Sequence, residues 1–290
     1  MKLTHNRAIF LMVAVTLMWS TAGVVTRHLE SARSFEVTFW RAAFTVLSLG
    51  VYLPLSQGRD VFAKMRTAGM AFWLSGLCWS VMFTAFMVAL TLTSVGNVLV
   101  TMSLGPLLTA VIARIFIGHR IPARTWTAVV VAGAGIVYMY ASQLDTVSLW
   151  GTLVALCVPI AGATNWTVTQ HAHDQGHDVD LMPAVWVGGV ICCAVTLPLA
   201  MPLQATAHDV ALLGLLGVFQ LAVPCVLSVR CAQILKAPEI SLLQLLEVIF
   251  GILLAWLGAN EAPGSAVLAG GAVVIGALVV NEVIGWRQRT

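Results

Sequence analysis

Glu247 stands where a bilayer tolerates a charge least, within the apolar run from Ser241 to Gly258. A carboxylate at the centre of a membrane helix costs about 2.5–3.5 kcal/mol on insertion scales, so it needs a partner, a proton or water. A carboxyl that alternates between apolar and cationic surroundings takes up and releases a proton, which is the chemistry that couples proton movement to solute movement. The same group can hold a solute ammonium, or serve as a structural carboxyl bonded to a neighbouring helix. Gln244 and Ser241 precede it at spacings of three, which places all three near one helix face. Other polar residues recur in apolar runs: Asn97 with Thr101, Asn165 with Thr169, and Gln220 and Ser228 on either side of Pro224. Thr16, Ser20 and Gly23 accompany Trp19. Such groups contact a ligand or bond one helix to another. Gln220 and Gln244 are favoured as ligand contacts because they are large and near mid-run, with Asn165 next. Trp19 and Trp79 lie away from run ends, where an indole can wall a site and stack on a ring or a cation. Trp126, Trp150 and Trp286 sit at run ends, as interfacial tryptophans do. Arg41 has three readings: a side chain that snorkels to the surface, a partner for Glu36, or a contact for a substrate carboxylate.

These residues must be held by helices. The chain is 59% hydrophobic and 9% charged over 290 residues, with a mean hydropathy of +0.93; a soluble domain carries about 25% charged residues. A spanning helix takes about 20 apolar residues. Ten runs qualify: 8–26, 35–56, 68–90, 94–117, 124–141, 148–169, 181–203, 208–230, 238–258 and 264–285. The first is read as a retained helix and not as a cleaved leader. Open sheets cannot cross lipid with unpaired edges, so the fold is expected to be all-α, an integral membrane protein of ten transmembrane helices. With ten spans, Lys2, Arg7, Arg59, Lys64, Arg66, Arg120, Arg124, Arg230, Lys236, Arg287 and Arg289 fall on one side, and only Arg27 and Arg33 on the other. That asymmetry puts both termini in the cytoplasm.

The chain also repeats. Val129-Val130-Val131-Ala132-Gly133-Ala134 aligns with Ala272-Val273-Val274-Ile275-Gly276-Ala277, and Ala89 with Ala232, at an offset of 143; Ile117-Gly118-His119-Arg120 falls opposite Ala259-Asn260-Glu261-Ala262. Residues 1–145 and 146–290 then form two five-helix units. Five is odd, so the second unit is inverted relative to the first, an arrangement that places a solute site near mid-membrane between the repeats.

A resemblance follows from the motifs in order: Trp19-Ser20, Phe39-Trp40-Arg41, Ala89-Leu90, Thr93-Ser94-Val95-Gly96-Asn97, Leu104-Gly105-Pro106, Leu246-Glu247, Leu254-Ala255-Trp256 and Asn260-Glu261. Over nearly its whole length the sequence resembles the EamA-type families of the drug/metabolite transporter superfamily. The resemblance implies a ten-helix carrier of amino acids, amines, nucleosides, drugs or other metabolites. Val248 stands where the family often has proline, and Gly118-His119 where it often has Gly-Glu.

The expected function is a secondary active transporter of a small polar organic solute, working by alternating access in a bacterial cytoplasmic membrane, with protons entering through Glu247. The expected substrate contacts are Glu247, Gln244, Gln220, Asn165, Trp19, Trp79, Asn97 and Arg41. The bilayer is the expected partner, and a homodimer is left open. Two alternatives stand beside this reading: a metal-cation transporter using His171, His173, Asp174, His177, Asp178 and Asp180 in the connecting loop, and a lipid flippase. The six cysteines form no Cys-x-x-Cys pair and read as small buried hydrophobes. No Gly-x-x-x-x-Gly-Lys loop is present, so ATP is not the expected energy source. No cofactor, nucleic-acid or enzymatic role is expected.

Overall fold

The computed structural model describes residues 4–117, 123–141, 149–174, 181–232, 234 and 237–287. Among these the regular structure is all helical, without strands. The helices are α1 (His5–Trp19), α2 (Thr21–Thr26), α3 (Ser34–Gln57), α4 (Val61–Arg66), α5 (Met70–Leu92), α6 (Val95–Met102), α7 (Gly105–Ile117), α8 (Ala123–Ala141), α9 (Leu149–Asp174), α10 (Leu181–Ala200), α11 (Ala207–Leu215), α12 (Val223–Ala232), α13 (Ala237–Ala259) and α14 (Ser265–Arg287). A π-helical stretch, Leu216–Ala222, joins α11 to α12.

Helix occupies each of the ten predicted runs. Seven segments are long and apolar enough to cross a membrane, and shorter apolar stretches at Trp126–Gly135, Leu149–Asn165 and Leu246–Ala259 fill the other three. The apolar residues point outward as well as inward: Phe10, Leu55, Phe116 and Leu257 are among the most exposed side chains. A bundle apolar on both its core and its outside is suited to lipid.

Several features differ from the sequence expectation. Two runs expected to be continuous are broken, at Ser20 and at Ser103-Leu104. The short α4 was not expected; it buries Val61 and Met65 against the bundle and is too short to span. The connector expected from His171 is helical as far as Asp174, because α9 continues to that point; residues 175–180 lie outside the described residues. The π-helical stretch has a local cause. Pro224 lacks the N–H that would bond the Gln220 carbonyl in a regular α-helix, and the ladder widens just before it.

Helix neighbours repeat between the halves. Grouped into the ten runs, α3 packs on α10, α8 on α14, and α6 on α13. The contact of α5 with α9 has its counterpart in that of α12 with α1, and α5 on α10 in α3 on the π-helical stretch. The contacts of α6 and α7 with α9 correspond to those of α13 with α2 and α1. Exchanging each run for the one five places on leaves this pattern unchanged, as a two-fold relation between halves requires. The segments 129–134 and 272–277, matched in sequence, lie in α8 and α14, which pack together.

Close approach depends on small residues at two points. A Cβ on Gly188 would collide with the Trp79 Cβ and lie 2.8 Å from the Gly76 carbonyl oxygen, so α10 rests on α5 there. A Cβ on Gly217 would lie 2.6 Å from the Arg41 carbonyl oxygen, which sets the π-helical stretch directly on α3.

Candidate functional site

The predicted polar residues separate into three groups. Thr16, Ser20, Thr101 and Ser228 bond carbonyls of their own helices, at Val13, Leu17, Asn97 and Cys225. That back-bonding satisfies them without a ligand.

The second group meets between the halves. Arg41, on α3, is 2% exposed. It donates from Nη1 to the Gln220 Oε1 at 3.0 Å and from Nη2 to the Phe83 carbonyl at 3.3 Å. Gln220 in turn donates from Nε2 to the Trp19 carbonyl at 3.2 Å. The guanidinium lies 5.7 Å from the ring centres of both Phe83 and Phe86. Trp79, one turn before Phe83 on α5, is 5.6 Å from it ring to ring, and its indole N–H is buried without an acceptor. The structure thus joins Arg41, Gln220 and Trp19, the last through its backbone, and brings Trp79 alongside through Phe83.

Both structural readings of Arg41 are corrected here. It does not snorkel, and it does not pair with Glu36. Five residues along a helix turn by about 140°, so the two side chains leave α3 on different faces. Glu36 instead accepts the backbone N–H groups of Gln204 and Ala205, at 2.8–3.0 Å.

The remaining predicted residues lie apart. Asn165, on α9, accepts from Ser75 Oγ at 2.6 Å, two turns before Phe83 on α5 and so about 12 Å along it. Asn97 sits in the first turn of α6, where Ser94 caps its N–H, and its side chain donates to Thr93. It lines a cavity of about 390 Å³ with Glu261, Ile252 and Val267. Gln244 and Glu247 are half-buried on α13. Glu247 makes no hydrogen bond or ion pair with the described residues.

Three acidic side chains not foreseen as a set bind the halves together at the end of the bundle away from the termini. Asp209 accepts backbone N–H groups of Glu30, Ser31 and Ala32 at 2.8–3.0 Å, and closes a capping box with Thr206. Glu36 holds Gln204 and Ala205, as described. Glu261 pairs with Arg27 and accepts the Val95 N–H at 2.7 Å; Arg27 also donates to the carbonyls of Leu90 and Thr93. Asn260, in the left-handed region at φ 52, ends α13 and aims Glu261 inward. The Thr206-x-x-Asp209 spacing and the Asn260-Glu261 turn were the available sequence signals.

The metal expectation at His171–Asp180 lies outside the described residues and side chains. Elsewhere Glu30, His208 and Asp209 bring potential ligand atoms within 4.8 Å of one another. The Asp209 oxygens there are already taken by backbone N–H groups.

Repeated apolar helices, a polar junction sealed between the two halves, and lipid-suited outer faces define a multi-pass membrane protein of the transporter type. Comparison agrees: the profile of the EamA-like transporter family matches twice, at residues 6–141 and 149–282, and the chain belongs to that family. Its members are transporters. No curated protein matches the chain. A solved crystal structure, described only as that of a protein, shares the fold with a TM-score of 0.67 at 16% identity, covering 99% of this chain and 100% of its own.

Proposed function

We propose that the chain is a secondary carrier that moves a small polar organic solute across a bacterial cytoplasmic membrane by alternating access. In this reading ten spans form two inverted five-helix units, residues 1–145 and 146–290, with both termini in the cytoplasm. The observation that carries it is the junction of Arg41, Gln220 and the Trp19 carbonyl: polar groups from both halves, buried together in an apolar bundle. Gln220 lies in a π-helical stretch, a distortion frequent at functional sites. The acid-centred contacts hold the two halves together at the far end. Glu247, half-buried and without a protein partner among the described residues, is the proton-coupling residue.

The test is uptake into proteoliposomes of labelled amino acids and amines, with and without a pH gradient, by the wild-type protein and Glu247→Gln. Gradient-driven accumulation lost in Glu247→Gln, with exchange retained, is the expected result. Equal gradient-driven uptake by both proteins removes Glu247 from coupling.

A further inference from the structure

We propose that Arg41 anchors an anionic group of the transported solute, a carboxylate or similar oxyanion, so that the substrates are acids or zwitterions and not plain amines. This rests on the carrier reading and narrows its substrate class.

Arg41 follows Ser34, the first residue of α3, by seven positions, so its backbone lies about 10 Å below the far end of that helix. An arginine at such depth is ordinarily matched by a carboxylate or opens to water. Among the described residues no carboxylate pairs with it. Its acceptors are an amide oxygen and a backbone carbonyl, both neutral. The nearest acid along its own helix, Glu36, is occupied by the amides of Gln204 and Ala205. The charge is therefore held by dipoles and ring faces alone.

The bonding is uneven around the guanidinium. Nη1 is held by Gln220, Nη2 makes one long bond at 3.3 Å, and Nε is buried with no acceptor. The Nε–Nη2 edge is the one a carboxylate grips side-on with two parallel bonds, and it is the least satisfied edge. A neutral amide such as Gln220 is a weaker acceptor than a carboxylate, so an arriving acid outcompetes it. Phe83, Phe86 and Trp79 supply an apolar flank for the body of the solute.

Access is built into the same elements. Arg41 lies on α3 below Glu36, and Gln220 lies on the segment that begins at the Thr206–Asp209 cap. Releasing the Glu36 and Asp209 contacts uncovers both residues together.

The experiment uses full-length protein in detergent and two sets of matched probes: benzoate, benzamide and benzylamine, then butyrate, butyramide and butylamine. Thermal unfolding is followed as each probe is titrated. The carboxylates are expected to stabilise wild-type protein saturably, at least tenfold more tightly than the amides or amines, and Arg41→Gln to lose that effect. Gln220→Glu supplies an internal carboxylate 3.0 Å from Nη1. It is expected to melt higher than wild type without any probe and to bind carboxylates at least tenfold more weakly, which keeps the test decisive if Arg41→Gln misfolds. No carboxylate effect on wild-type protein, or an equal effect on Gln220→Glu, overturns the proposal. Proteoliposome uptake separates the two readings. Carboxylate binding without uptake of any probe defeats the carrier and leaves the site; uptake of amines that survives Arg41→Gln defeats the site and leaves the carrier.

Discussion

Replacing Asp209 by Asn tests whether the far-end seal is a true structural bond. The change keeps side-chain size and removes one acceptor oxygen. In the native arrangement Oδ1 accepts from Glu30 N–H at 2.8 Å, while Oδ2 accepts from Ser31 and Ala32 at 3.0 Å and from Thr206 at 3.3 Å. An asparagine must turn its NH₂ group toward one side or the other. Turned toward Glu30, it leaves one N–H facing a donor; turned the other way, it leaves three. The favourable choice still orphans one buried N–H, at about 1–3 kcal/mol, and converts three charge-assisted bonds to neutral ones. Asp209 is fully buried, but Glu30 and Ser31 beside it are exposed, and water there recovers part of the loss. The expected net is about 2–4 kcal/mol, or roughly 3–7 °C for a chain of 290 residues. The assay is thermal unfolding of purified protein in detergent by circular dichroism, at matched scan rates. Thr206→Ala is the control: it removes the capping hydroxyl that accepts the Asp209 N–H at 3.1 Å, at about 1 kcal/mol. A Tm for Asp209→Asn within about 1 °C of wild type, or a loss no larger than that of Thr206→Ala, refutes the reasoning.

Exchanging the charges of the far-end ion pair, Arg27→Glu with Glu261→Arg, should fail to restore the stability lost in either single variant. Arg27 also donates to two carbonyls and Glu261 accepts an N–H, and neither bond survives the swap; a double-mutant cycle on Tm checks this. Gly217→Ala places a Cβ 2.6 Å from the Arg41 carbonyl, so α3 and the π-helical stretch must separate, at about 1–3 kcal/mol. It should lower Tm and weaken carboxylate binding together. Ser75→Ala removes a buried bond to Asn165 and should cost about 1–3 kcal/mol while leaving carboxylate affinity at Arg41 within twofold, since the two sites are separated along α5; titration of the same probes checks it.

The helical segments were legible because runs of about 20 apolar residues admit few alternatives, and turn formers such as Asn260 mark their ends. The interruptions were not. At Ser20 no adjacent proline or glycine signals the break, and at Ser103-Leu104 the following Gly105-Pro106 reads equally as a kink within one continuous span. The π-helical stretch was half legible: Pro224 was visible as a missing donor, but the close seating of Gly217 on α3 was not. At the site, Arg41 and Gln220 were each named from type and depth, but their meeting, 179 positions apart, was not readable from spacing. The separation of Arg41 from Glu36 was readable, because an offset of five puts two residues on different helix faces. Glu247 is half-buried on α13, and its role is a matter for the transport assay.

The three acids at the far end share a design that bears on how a carrier of this kind switches. Each carboxylate grips backbone N–H groups of a neighbouring turn, and two of them hold consecutive ones: residues 30–32 at Asp209 and 204–205 at Glu36. Bonds to consecutive amides are geometrically coupled. A shift of one half by an ångström or two lengthens all of them at once, where separate side-chain pairs would stretch and re-form singly. Such a contact is either made or lost, and a bistable contact between two rigid halves is what an all-or-none change of access requires. Asp209 and Glu36 also anchor the very segments that carry Gln220 and Arg41. On the proposed cycle the loss of the seal and the uncovering of the arginine are then one event, and variants that weaken the seal should raise the rate at which carboxylates reach Arg41 from the far side, even as they lower the melting temperature.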